Sequence, residues 1–193
     1  MAPALTVAVF CGSSFGHDTA FRDAAVMLGD ALARAGIRLV YGGGRIGLMG
    51  AMADAALAAG GDVLGVLPDF LRTAEIAHDA LTRLEITDSM HARKRRMFEL
   101  ADAFVSFPGG IGTLEETIEV LTWRQLGLHA KPVLLCDVAG ASAALVQVIE
   151  ATISLGFARE SLRGCYELVA GVPALLERLA RVDRVAAKAA DRL

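Results

Sequence analysis

The 193-residue sequence predicts a single α/β domain, a doubly wound, mainly parallel sheet with helices on both faces. Three observations predict it. Short apolar runs alternate with stretches of helical periodicity along the whole chain. The runs are continuously apolar rather than alternating, as expected for strands covered on both sides. The joints between the two patterns are short, which suits repeated β-α units.

The elements follow in order. Leu5–Phe10 (LTVAVF) reads as a buried strand, and the helical pattern of residues 19–36 ends at Gly36, a C-terminal cap position. Residues 37–44 (IRLVYGGG) read as a strand entering a glycine loop. Residues 47–61 form a helix closed by Gly60 and Gly61, and residues 62–68 (DVLGVLP) a third strand. Residues 82–87 (TRLEIT) make a short fourth. A helix is expected over 88–101, a strand over 103–108 (AFVSFP), a helix over 113–127, a strand over 131–137 (KPVLLCD) and a helix over 142–156. Residues 166–170 (YELVA) read as a last strand, followed by a helix from Pro173. One domain is expected over residues 1–180, with a C-terminal helical tail over 181–193.

Bulk composition excludes several classes of function. Hydrophobic residues make up 54% and charged residues 21%, the balance of a globular chain. A formal charge of −3 gives no drive toward nucleic acid or membrane surfaces, so neither is an expected partner. No apolar run reaches the length of a membrane span, and the first residues, without a basic start, do not resemble a signal peptide. Cys11, Cys136 and Cys165 form no CxxC pair, which argues against a disulfide framework or a zinc cluster. A reducing cytoplasm is the expected location. The histidines lack metal-type spacing, and no metal site is expected. Ser13 and Ser14 lack the GxSxG elbow of a serine hydrolase.

Three predicted strand ends carry small residues: Cys11–Ser14 (CGSS), Tyr41–Gly50 (YGGGRIGLMG) and Pro108–Thr113 (PGGIGT). Ligands of open α/β sheets sit beyond the carboxyl ends of the strands, and a following helix presents free N–H groups to an anion. Gly12, Ser13, Gly43 and Gly44 are therefore candidates for binding a nucleotide or sugar phosphate. Gly42, Gly44 and Gly47 also satisfy GxGxxG, but after the second strand and without a matching acid, a weak dinucleotide signal.

Two charged residues stand out. In SMHARKRRMFELA, Arg93 shares the inward stripe of Met90 and Met97, and an inward guanidinium needs a partner or a ligand. Thr113-x-x-Glu116 has two readings: a capping box, or a carboxylate held at the mouth of a glycine-rich site. Spacing alone leaves both open.

SMHARK followed by PGGIGTLEE resembles the paired motifs of the LOG family, the cytokinin riboside 5′-monophosphate phosphoribohydrolases often labelled lysine decarboxylases. CGSS, YGGGRIGLMG, GVLP, EVLTWRQLG and KPVLL fall in the family's order, so the resemblance covers nearly the whole chain. It implies a Rossmann-like domain, a homodimer, and hydrolysis of the N-glycosidic bond of a nucleoside 5′-monophosphate, AMP included. The products would be a free base and ribose 5-phosphate, with no metal or nicotinamide cofactor. By matching position, Arg93 and Glu116 are the catalytic pair. Lys94 and the run Gly110, Ile111, Gly112, Thr113, Leu114, Glu115 and Glu116 line the substrate site, with Gly109 just ahead. Glu75 and Thr122 fall at further substrate contacts. Ile111 stands where the family often has Tyr, and Ala92 where it often has Glu, departures that bear on substrate fit. No lysine motif for a pyridoxal Schiff base is recognisable. The alternatives are a nucleotide or molybdenum-cofactor carrier on the same fold and, from GxGxxG, an NAD-dependent oxidoreductase.

Overall fold

The computed structural model describes residues 5–72 and 77–182. Seven strands, β1 (Thr6–Phe10), β2 (Arg38–Tyr41), β3 (Val63–Pro68), β4 (Arg83–Thr87), β5 (Ala103–Ser106), β6 (Val133–Asp137) and β7 (Glu167–Ala170), pair throughout in parallel. Their order is β4-β3-β2-β1-β5-β6-β7.

Strand side chains feed two cores in alternation. Val7, Val9, Leu39, Tyr41 and Val105 point to one face, where α1 (Thr19–Arg34), α2 (Gly47–Ala58) and α6 (Gly171–Leu179) cover them. Ala8, Phe10, Val40, Val66 and Phe104 point to the other, under α3 (Met90–Leu100), α4 (Ile111–Gln125) and α5 (Ala143–Ser154). Both faces being covered, the central strands have no polar side to show, which is why they read as unbroken apolar runs. The doubly wound parallel sheet expected from the sequence is therefore present. The edge strand β4 is only partly buried. Its Glu85 is paired with Arg96 of α3 at 2.7 Å, a charge placed where an exposed edge would otherwise invite another strand.

Two helices start two residues earlier than expected. The last helix begins at Gly171 rather than Pro173, because a proline in the first turn forfeits only an N–H that has no helical acceptor. α4 begins at Ile111, two residues ahead of the expected Thr113. The expected C-terminal tail lies, from residue 183 on, outside the described residues.

The chain leaves β1 toward β2, β3 and β4, then returns to the other side of β1 to lay down β5, β6 and β7. The adjacent loops after β1 and β5 therefore diverge to opposite faces. A crevice at their carboxyl ends is the topological consequence.

Candidate active site

Arg93 enters this crevice from α3. Ser89 caps the helix, its hydroxyl accepting from Ala92 N–H at 3.1 Å, and this start turns Met90, Arg93 and Met97 toward the sheet. The guanidinium is buried, with the whole residue 5% exposed. Nε donates to the Val66 carbonyl at 3.1 Å, and Nη2 to the Gly42 carbonyl at 3.1 Å. A buried cation is tolerable only when its donors are matched in this way, here by carbonyls at β3 and just beyond β2. A side chain at residue 42 would occupy the same space: a Cβ there would lie 2.0 Å from Arg93 Nη2.

Glu116 enters from α4. The helix is capped by Gly110 in an extended conformation, without a side-chain hydrogen bond. Thr113 therefore sits inside the helix and Glu116 beyond its first turn, so the capping box allowed by the sequence is not formed. Thr113 is buried instead against the preceding loop, where a Cβ on Gly109 would meet its Oγ1 at 2.1 Å. One turn on, the buried Thr117 hydroxyl donates to the Thr113 carbonyl at 2.7 Å and shares a 2.8 Å hydrogen bond with Ser106 Oγ on β5. These contacts brace the start of α4 on the sheet. The first N–H groups of the helix, from Ile111 on, have no helical acceptor and present the positive end of its dipole.

The structure brings these features into one cleft of about 370 Å³. Arg93, Glu116, Glu115, Gly12 and Ser13 line it, as do Gly110, Ile111, Gly112 and Thr113. Glu116 and Arg93 both act on the Cys11 thiol at the end of β1. Burial pushes that thiol well above its usual range, the Glu116 charge adds to the rise, and Arg93 opposes it. A thiol held protonated in this way is a poor nucleophile.

Other expected residues fall elsewhere. Gly109 lines an adjoining, more apolar hollow of about 410 Å³ with Phe15, Phe21 and Leu48. Leu114 packs into the core beneath α3 to α5. Gly43 packs close to Leu67 and Leu84, and Gly44 forms a bridge with Ala77, so neither lines the cleft. Gly47 lies so close to Ser13 and Ser14 that a Cβ would come within 2.3 Å of their backbone. Of the GxGxxG glycines, Gly42 thus seats Arg93 at the cleft and Gly47 holds two loops together. The Thr122 hydroxyl donates to Ile118 O at 2.8 Å on the outer side of α4, away from the cleft. Lys94 is not among the lining residues and is engaged by Glu115 and Glu119. Glu75 lies outside the described residues.

The cleft also contains Gly42, read from the sequence only as part of GxGxxG, and residues that sequence reasoning did not single out as a site: Met49, Leu71, Met90 and Met97. Met90 and Met97 had a signal, since they share the inward stripe with Arg93. For Gly42 the GxGxxG pattern gave no sign of Arg93, because its role is set by a side chain 51 positions away. Among the described residues, no group of three or more His, Cys, Asp or Glu is placed to hold a metal ion, and no helix is long and apolar enough to cross a membrane.

Solved structures of similar shape include a molybdenum cofactor binding protein from Rippkaea orientalis. It is 20% identical with a TM-score of 0.71, covering 93% of this chain and 98% of that one. The molybdenum cofactor carrier protein of Chlamydomonas reinhardtii is 22% identical with the same TM-score and coverage. At such identities the likeness speaks for the fold alone. Curated sequences are nearer. A probable cytokinin riboside 5′-monophosphate phosphoribohydrolase of Oryza sativa subsp. japonica is 44% identical over 173 residues, 90% of this chain and 76% of its own. A cytokinin riboside 5′-monophosphate phosphoribohydrolase of Rhodococcoides fascians is 52% identical over 133 residues, 68% of this chain and 67% of its own. One from Arabidopsis thaliana is 42% identical over 173 residues, 90% of this chain and 81% of its own. The profile of the family described as "Possible lysine decarboxylase" matches residues 49–179. With the PGGIGTLEE motif at the start of α4 and relatives of this closeness, the chain belongs to the LOG family.

Proposed function

We propose that this protein hydrolyses the N-glycosidic bond of nucleoside 5′-monophosphates, both cytokinin riboside monophosphates and AMP, releasing the free base and ribose 5-phosphate. Its family places it among hydrolases of N-glycosyl compounds. The observation that carries the reading is the convergence of Arg93 and Glu116, from separate helices, on one cleft that also receives the amino end of α4.

The chemistry follows from that arrangement. Breaking a glycosidic bond builds positive charge on the ribose, and the Glu116 carboxylate stabilises that charge or positions and deprotonates the attacking water. Arg93, anchored by two carbonyls, orients Glu116 and holds ribose oxygens. The N–H groups of Ile111, Gly112 and Thr113 receive the 5′-phosphate. That remote grip is binding energy available to the reaction at the far side of the sugar. Glu75 is proposed as a further substrate contact. The protein is proposed to act in the cytoplasm as a homodimer. Ile118 on α4 and Leu126 just beyond its end leave apolar surface exposed for a second copy.

The test is base release from AMP and from isopentenyladenosine monophosphate by the purified protein. Release is expected, and Arg93→Ala and Glu116→Ala should each abolish it with the fold intact by circular dichroism. A wild type that releases base from neither nucleotide, while retaining a bound ligand through purification, would establish the carrier instead.

A further inference from the structure

Lys94 follows Arg93 on α3 but reaches away from the cleft lining. Its side chain is 14% exposed, with Nζ 2.5 Å from Glu115 Oε1 and 3.1 Å from Glu119 Oε1. The two carboxylates lie four residues apart on α4, on one side of that helix, and a single ammonium joins both to α3. Burial alone would lower the Lys94 pKa, but the hydrogen bonds and charges of Glu115 and Glu119 outweigh it and hold it above the usual lysine value. The lysine therefore stays charged across the neutral range.

This link has two consequences for the cleft. Glu115, Glu116 and Glu119 crowd three carboxylates into the early turns of a helix whose positive end opens on the site. Negative charge there opposes any incoming phosphate unless it is balanced. Lys94 balances two of the three. The link also joins the neighbour of Arg93 to the neighbour of Glu116. Further along, Phe98 and Trp123 pack edge to face at 5.0 Å, so α3 and α4 are tied by an aromatic contact at one end and by an ionic one at the cleft.

We propose that Lys94 is a positioning residue: by holding Glu115 and Glu119 against α3, it keeps the amino end of α4 receptive to the substrate phosphate and sets Glu116 opposite Arg93. This rests on the phosphate-binding part of the function proposed above. It assigns Lys94 a role through Glu115, in place of the direct substrate contact that its position in the motif implies.

The experiment uses ribose 5-phosphate as the binding probe, measured by calorimetry, alongside base release from AMP. Lys94→Met should weaken ribose 5-phosphate binding and raise KM about tenfold, the factor that corresponds to 1.4 kcal/mol, with a smaller change in kcat. Lys94→Met combined with Glu115→Gln should recover most of that loss, because of the two carboxylates left unbalanced the one that lines the cleft is gone. Lys94→Arg should retain both constants to within about threefold, a change of under 1 kcal/mol. Should Lys94→Met fail to fold, Lys94→Gln takes its place. A double variant that binds no better than Lys94→Met means that Lys94 grips the phosphate itself and overturns the proposal, as does a Lys94→Met protein that binds like the wild type. Wild type that binds ribose 5-phosphate but releases no base overturns the proposed hydrolysis and leaves the binding comparison able to judge Lys94. Wild type that does not bind ribose 5-phosphate overturns the positioning role.

Discussion

Gly42 and Arg93 occupy complementary spaces: the guanidinium Nη2 that donates to the Gly42 carbonyl at 3.1 Å stands where a β-carbon of residue 42 would be, 2.0 Å away. The backbone position that accepts the hydrogen bond is thus also the one that must lack a side chain. The loop leaving β2 and helix α3 meet in this contact. It makes the glycine after β2 part of the machinery that aims Arg93.

Gly42→Ala should displace the guanidinium while leaving the sheet assembled. Misplacing a catalytic group by about 1 Å costs on the order of 100-fold in rate. We expect a loss of that order in AMP hydrolysis, with an unchanged circular dichroism spectrum. Gly164→Ala, where a Cβ meets nothing within 4 Å, should hydrolyse AMP like the wild type. An equal loss in both variants would mean that the effect is not specific to the Arg93 seat.

Arg93→Lys should behave nearly as badly as Arg93→Ala. The guanidinium spans the Val66 and Gly42 carbonyls with donors on different nitrogens, which a single ammonium cannot match. Stranding buried acceptors costs about 1–3 kcal/mol, so a lower denaturation midpoint should accompany the loss of activity. Lysine supporting more than about a tenth of the wild-type rate, a deficit of under about 1.4 kcal/mol, would show that charge alone suffices.

The brace beneath α4 is testable by a double-mutant cycle. Thr117→Val removes a buried hydroxyl that serves both Thr113 O and Ser106 Oγ, and should cost about 1–3 kcal/mol in urea denaturation. Ser106→Ala removes the partner. The two losses together should be smaller than their sum by at least about 0.5 kcal/mol, whereas strict additivity would show that the hydroxyls are not coupled.

His129 predicts an acid-sensitive fold. Its Nε2 donates to the Val120 carbonyl at 2.9 Å and its Nδ1 accepts from Lys131 N–H at 3.1 Å, so the packed ring is neutral. Burial lowers its pKa below the free value of 6.5; the Val120 hydrogen bond pulls the other way, and the charges of Lys131 and Arg124 add to the lowering. With the native pKa below the unfolded one, the unfolded chain binds the proton more readily. The stability contribution is complete above pH 6.5 and is lost as the pH falls from there through the native value. His129→Gln should flatten this part of the stability profile while lowering stability at neutral pH by about 1 kcal/mol. An unchanged slope would place the acid sensitivity elsewhere.

The sequence by itself determined the layers and one half of the site. Strands such as LTVAVF and KPVLLCD were legible because a strand buried on both faces has no polar side, a property written in consecutive residues. Arg93 was legible as inward because Met90 and Met97 set the phase of its helix. The start of α4 was not legible. Thr113 and Glu116 carry the spacing of a capping box, but Gly110 takes the cap, with Gly109 packed against Thr113 and Thr117 tied to β5. The places of Gly42 and Lys94 were equally hidden, since one is fixed by a guanidinium from α3 and the other by carboxylates from α4. Periodicity records which way a residue faces within its own element, whereas the partner it meets is decided only when strand order and helix packing bring distant parts of the chain together.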